Sequence, residues 1–276
     1  MEPGKMDRRK PAVLVVSYGC GYAGAGEKTL NRIEADIQEA YPDCLICRAW
    51  TSRRIRRRLL EREGIRIPGV KEAMEELLDG GIHDVVVQPV HVLGGLEYQS
   101  MTEELQTFKE SFSQIVVGAP MLSSEEDKKK VVFTIGREGR PEAGKVLVLV
   151  GHGTSSCADE VYREIDDGFA AEGYDNIFLG TMEGKLDFAH VLGRILNRRP
   201  EGIVLAPFMI TAGWHAARDL CGEQEGSWKS RLEAAGFPVE CVLKGLGEYE
   251  GIRRIFVEHA EKSMRIFENG HTDDRH

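Results

Sequence analysis

Residues 145–153, Lys-Val-Leu-Val-Leu-Val-Gly-His-Gly, restrict the fold more than any other stretch of the chain. Five consecutive Val and Leu residues run into Gly151-His152-Gly153. An unbroken, β-branched apolar run of this length is the pattern of a parallel strand covered on both faces. The two glycines permit a tight exit turn and a close approach by other backbone. An imidazole is thereby left at the carboxyl end of a buried strand, the edge at which open α/β sheets bind their ligands. Histidine there serves as a metal ligand or as a proton carrier near neutral pH, or it satisfies a turn carbonyl.

Seven further strand-like runs accompany this one, near 12–17, 44–50, 83–90, 114–118, 176–182, 203–209 and 238–244. Helical patterns such as Glu27–Ala40 and Leu96–Phe112 separate them. Such alternation predicts βαβ units in parallel sheets with right-handed crossovers. Eight strands suit one barrel, but two features favour two sheets. Residues 123–144 are charged and poor in strand signal, as in a helix and linker between domains. The halves also match: Val13–Gly19 aligns with Leu147–Gly153, and Val86–Glu97 with Val204–His215. The fold expected is α/β, with two similar lobes, each a four-stranded parallel sheet flanked by helices, and a cleft between them. The divisions expected are an N-terminal lobe over 1–124, a helix and linker over 125–144, a C-terminal lobe over 145–247, and a final helix and tail over 248–276. That helix, about Glu248–Phe267, is expected to pack back on the first lobe, and Asn269–His276 to be disordered.

A net charge of −9 argues against general nucleic-acid binding. No apolar run approaches a membrane span, and the first residues lack a signal-peptide core, so a cytoplasmic location is the default expectation. Six scattered cysteines are too few for a disulfide scaffold. Cys44 and Cys47 have CxxC spacing but lie in a strand-like segment, where they would face opposite sides of the sheet.

Two glycine-rich patterns fail as nucleotide sites. Gly19-Cys-Gly21-Tyr-Ala-Gly24 reads GxGxxG, yet the following strand ends Arg48-Ala-Trp-Thr-Ser52 without the acid that holds a ribose. Gly21…Gly26-Glu27-Lys28-Thr29 places a carboxylate where a P-loop needs phosphate. No nucleotide is expected. The run Arg53-Arg-Ile-Arg56-Arg57-Arg58 is a solvated helix face balanced by Glu61 and Glu63, or a cradle for a polyanionic substrate.

Three potential ligands fall at matching strand ends of the second half: His152, Glu183 in Gly180-Thr-Met-Glu183-Gly184, and His215 in Thr211-Ala-Gly213-Trp-His215. Two imidazoles and a carboxylate suit cobalt, nickel, iron or zinc, and leave a coordination position open for chemistry. His83, His91 and His190 have no such company. Glu97 occupies in the first half the place of His215 in the second.

Val150-Gly151-His152-Gly153, Glu183 and Ala212-Gly-Trp-His215-Ala-Ala-Arg-Asp219 resemble the anaerobic sirohydrochlorin cobaltochelatases, the CbiK type of class II chelatase. So do Leu14–Gly19, Arg48–Ser52, Gly226-Ser-Trp-Lys229 and Leu246-Gly-Glu248, in one register over about residues 12–268. The resemblance implies ATP-independent insertion of Co2+ into sirohydrochlorin in the early cobalt-insertion branch of cobalamin synthesis. It implies metal binding and catalysis by His152, Glu183 and His215. Tyr18 and Gly19, with Glu97, would then line the facing wall, while Arg53 or Arg54 meets substrate carboxylates. Trp214 departs from the small or acidic residue expected there. A carrier of tetrapyrrole or metal and a metal-dependent hydrolase are the rival functions, and a homo-oligomer is left open.

Overall fold

The structure, a computed structural model, describes residues 10–22, 24–214 and 216–273. The first sheet consists of β1 (Ala12–Ser17), β2 (Ile46–Trp50), β3 (Asp84–Val90) and β4 (Gln114–Val117) in the order β2-β1-β3-β4. The second consists of β5 (Lys145–Gly151), β6 (Ile177–Thr181), β7 (Gly202–Pro207) and β8 (Val239–Cys241) in the order β6-β5-β7-β8. All pairings are parallel. The two-lobed α/β expectation and all eight strands are therefore realised, with ends displaced by a few residues.

Register makes the internal repeat concrete. Val16 pairs with Pro89 in the first sheet, and Val150 pairs with Pro207 in the second. Tyr18 therefore corresponds to His152, and Glu97 to position 215. Gly19 and Gly153 occupy the same place in the two halves, and both have left-handed backbones, with φ of 97° and 80°.

The strands are apolar on both faces because each face meets helices. Leu14 and Val16 pack on α4 (Val70–Asp79) and α5 (Leu96–Gln106). In the second sheet Val146, Val148 and Val150 point to the outer core under α8 (Phe188–Arg198) and α9 (Trp228–Ala234). The alternate residues, Val13 and Val15 of β1 and Leu147 and Leu149 of β5, join one continuous core between the sheets. Its helices are α2 (Leu30–Ala40), α6 (Glu125–Glu138), α7 (Glu160–Ala171) and α10 (Glu250–Asp273). Helix α10 packs on β3, β4 and α2, and α6 bridges α10 and α7. Among the described residues no helix is long and apolar enough to cross a membrane.

Three local expectations need correction. The helix predicted over Glu27–Ala40 is split into α1 (Ala25–Lys28) and α2 by Thr29, whose φ and ψ are −124° and −82°. Thr29 packs against Gly247, and its hydroxyl donates to Ala25 O at 2.6 Å, an alternative to helix continuation. The helix predicted to reach Phe112 stops at Gln106, where the Thr107 hydroxyl turns back to Glu104 O. The tail expected to be disordered over Asn269–His276 continues α10 through Asp273, and 274–276 lie outside the described residues.

A buried polar pair ties the middle layer together. His259 of α10 and Asp127 of α6 approach at 3.1 Å between Nε2 and Oδ1, and both are almost wholly buried. The Ser123 and Ser124 hydroxyls donate to the same carboxylate, and His259 Nδ1 reaches Ala119 O. Burial pushes the Asp127 carboxyl up, but these hydrogen bonds and the neighbouring imidazole outweigh it and hold the group below its ordinary range. A carboxyl depressed on folding adds stability that is complete above the unfolded pKa and is lost as pH falls through the folded one. Replacing Asp127 with Ala is expected to cost about 3 kcal/mol at neutral pH, since it leaves a buried partner uncompensated. Urea melts of the wild type and variant should converge as the pH is taken into the acid range.

Candidate functional site

The site forms where the turn after β5 meets the turn after β6. The Met182 N–H donates to Gly151 O at 3.0 Å and the Glu183 N–H to His152 O at 2.9 Å, so the two turns continue the ladder past the strands. Glycine is required for this contact. A Cβ on Gly153 would lie 2.4 Å from Gly184 N, and one on Gly184 would lie 2.2 Å from Asp159 Oδ1. A Cβ on Gly151 would strike the buried Tyr162 ring at 2.5 Å. Tyr162 lies beneath the turn, where burial pushes its phenol up to about 12, and it takes a hydrogen bond from the Gly153 N–H.

Asp159 clamps the two turns and was not singled out by the sequence. Its Oδ1 accepts the Thr154 N–H at 3.1 Å and its Oδ2 the Lys185 N–H at 2.8 Å, and the side chain is buried. Each bonded amide lies two residues beyond a site residue, His152 on one turn and Glu183 on the other. The short helical turn Cys157–Asp159, capped by Ser156, delivers this carboxylate at the start of α7.

His152 Nδ1 and Glu183 Oε2 are 3.7 Å apart, and both side chains are substantially open to solvent. An imidazole and a carboxylate side by side at an accessible strand edge can hold a divalent cation between them or pass a proton. His215 lies outside the described residues. Its neighbours Gly213 and Trp214 follow β7, and a π-helical turn over Ala216–Leu220 comes next, a form of turn often found at functional sites. Among the described residues no third His, Cys, Asp or Glu completes a metal-binding group with His152 and Glu183.

Residues expected on the facing wall lie at the carboxyl edge of the first sheet. Tyr18 follows β1 and is exposed, and Gly19 packs its backbone on the Trp50 ring, 2.7 Å from where a Cβ would stand. Glu97, in the first turn of α5, accepts a hydrogen bond from Thr51 Oγ1 at 3.1 Å. Arg53 and Arg54 open α3 (Arg53–Glu63), are exposed and form no ion pair among the described residues. Arg56 and Arg57 of the same helix are paired with Glu72 and Glu61. Tyr18, Leu96 and Trp214, after β1, β3 and β7, are large apolar groups left exposed at 47%, 62% and 59%. His91, one residue past β3, is instead buried, and burial drags its imidazole down to about 4.

The carboxyl edges of the two sheets meet through residues 246–248. The Leu246 and Gly247 N–H groups donate to Met209 O and Ile210 O beyond β7. On its other side Gly247 touches Thr29 at the head of α2, where a Cβ would lie 2.8 Å from Thr29 Cβ.

Known structures place this architecture among the chelatase-like proteins. SirB from Bacillus subtilis with Fe3+ superposes with a TM-score of 0.66 at 14% identity, covering 95% of this chain and 98% of its own. DR2241 from Deinococcus radiodurans, a multi-domain protein with structural similarity to chelatases, gives 0.60 at 13% identity over 92% of this chain and 55% of its own. At these identities the likeness is one of fold. Sequence goes further: residues 11–265 match the cobalt chelatase (CbiK) family, and the chain belongs to it. It is 32% identical over 259 residues to a sirohydrochlorin cobaltochelatase of Salmonella typhimurium, covering 93% of this chain and 97% of that protein. It is 29% identical over 268 residues to sirohydrochlorin cobaltochelatase CbiKC of Nitratidesulfovibrio vulgaris, covering 94% and 93%.

Asp159→Ala removes the acceptor shared by both turns. It is expected to cost about 1–2 kcal/mol of stability, because the two amides it releases are only partly buried. A divalent cation held between His152 and Glu183 would bind about tenfold more weakly, the lower end for loss of a group that orients ligands. Calorimetric titration with Co2+ beside a urea melt separates the two effects.

Proposed function

We propose that this protein inserts Co2+ into sirohydrochlorin without ATP, as a step of cobalamin biosynthesis, with both metal ion and macrocycle as substrates. The observation that carries the reading is the pairing of His152 with Glu183 on touching strand-end turns. Membership of the cobalt chelatase family over residues 11–265 supplies its chemical context.

Chelation of a tetrapyrrole makes definite demands. The metal has to be held firmly enough to be aimed and loosely enough to leave, and two pyrrole N–H protons have to be accepted. His152, Glu183 and His215 would present Co2+ to one face of the ring. A set of three protein ligands leaves positions open to the pyrrole nitrogens. As the metal transfers, a neutral imidazole or the Glu183 carboxylate accepts a pyrrole proton as general base. Solvent exposure of both side chains gives that proton a way out. Tyr18 and the Gly19 backbone, with Leu96 and Trp214, offer apolar area to a flat ring, and Glu97 faces it from the first half. The peripheral carboxylates of the macrocycle call for cations. Arg53 and Arg54 answer that need at the first-sheet edge, where guanidinium groups bind carboxylates in bidentate fashion. A cytoplasmic location accords with these substrates.

Anaerobic absorbance spectroscopy with sirohydrochlorin and Co2+ tests the reading. Wild type should insert the metal faster than the spontaneous rate. His152→Ala, Glu183→Ala and His215→Ala should each lower kcat/KM by at least about a hundredfold, as loss of a metal-positioning or proton-accepting group does. Insertion that survives loss of both histidines would refute the assignment. A spectral shift without insertion would mark a carrier. The double change Arg53→Ala with Arg54→Ala should raise KM for the tetrapyrrole and leave kcat largely unchanged, as expected for groups that bind ground and transition states alike.

A further inference from the structure

Leu96 and Trp214 occupy one structural position in the two halves. Leu96 follows Pro89 of β3 by seven residues, and Trp214 follows Pro207 of β7 by seven. Strands β3 and β7 hold the same place in their sheets, each beside the first strand of its half. A glycine precedes both residues and closes the same kind of helical turn. Gly95 O accepts the Gln99 N–H at 3.0 Å, and Gly213 O accepts the Ala217 N–H at 3.0 Å. In such a turn the Cα–Cβ bonds tilt toward the N-terminal end, so both side chains lean back over the turn that leaves the strand.

Exposure sets the pair apart. With Ile266 and Phe133, they are the most exposed large apolar groups among the described residues. Ile266 and Phe133 lie within α10 and α6 rather than on a turn that follows a strand. A large apolar side chain left open at the ligand-binding edge of a sheet is surface for a partner. The neighbouring matched positions have diverged. Tyr18 of the first half stands where the second has His152, and Glu97 where it has residue 215. Delivery of a metal ion needs ligands on one side only, so those positions are free to differ. A planar ring has two apolar faces, and each needs cover. Leucine and tryptophan differ in shape, yet both supply it.

We propose that Leu96 and Trp214 are a matched pair that grips a flat tetrapyrrole, one residue from each half and one on each face of the ring. The pairing rests on the tetrapyrrole reading of the site and adds how the ring is held before any metal arrives. The Trp214 indole stacks on one face in the offset manner of aromatic pairs, and the Leu96 methyl groups pack on the other. This grip uses neither the metal nor the peripheral carboxylates of the macrocycle.

Both parts of the test use the full-length protein without metal, under anaerobic conditions. Hydroxyl-radical footprinting, read by mass spectrometry, is run with and without sirohydrochlorin. Leu96 and Trp214 should both lose most of their labelling when the ring is bound, while Ile266 and Phe133 keep theirs. Absorbance titration with sirohydrochlorin then gives Kd. Leu96→Ala should weaken binding about tenfold and Trp214→Ala about thirtyfold, as when a ligand buries a large apolar side chain. Trp214→Phe should recover most of that loss. The double Ala variant should lose about three hundredfold, because contacts on separate faces add. Truncating exposed side chains costs little folding stability, which urea melts of the variants check. Protection of only one residue or of neither, or Ala variants that bind the ring as tightly as wild type, would overturn the pair. Should such variants still insert Co2+ as wild type does, the chelatase reading survives without it. A wild type that inserts no metal, yet binds the ring in a way both Ala variants lose, would instead sink the chelatase reading and uphold the pair.

Discussion

One shared apolar layer governs the relation between the two lobes. A parallel sheet needs cover on both faces, and here each sheet obtains half of that cover from the same group of helices. Val13 and Val15 from one sheet and Leu147 and Leu149 from the other enter one core with Ile33, Ile135, Phe169 and Phe256. Close-packed interiors do not deform smoothly, so the distance between the two carboxyl edges is set by buried side chains. The last helix matters for the same reason. It begins after the second lobe and covers the first, so a chain ending near residue 248 would leave β3 and β4 bare on one face.

Upon that frame the site is assembled chiefly by backbone. The turns bearing His152 and Glu183 touch through Gly153 and Gly184, and Asp159 fixes their spacing by accepting one amide from each. Tyr162 supports the first turn from below. The site side chains can remain open to solvent because their positions are decided beneath them. A metal that must be handed on is better served by such an arrangement than by an enclosed cage of ligands.

The regular elements were legible in the sequence because strand and helix periodicity are local properties. All eight strands follow from apolar runs, and the repeat from two short matches, one ending at Gly19 and Gly153 and one containing Pro89 and Pro207, that the strand register upholds. The pairing of His152 and Glu183 was also readable, from their common place at strand ends. What escaped depended on contacts distant in sequence. Thr29 interrupts a helix because Gly247 presses on it, and nothing near Thr29 announces Gly247. Asp159 looks like any acid at a helix start until its two amide donors are seen.

The repeat has a further meaning for a flat ligand lying between the halves. Two identical walls related by a twofold axis would accept such a ligand equally well after it was turned over, and a metal could arrive from either side. Here Tyr18 stands where the other half has His152, while Gly19 and Gly153 keep the same left-handed turn. Joining both halves in one chain let the walls diverge while their scaffold stayed matched. The molecule thereby distinguishes top from bottom in an otherwise symmetric frame, with a phenol at one strand end and an imidazole at its counterpart.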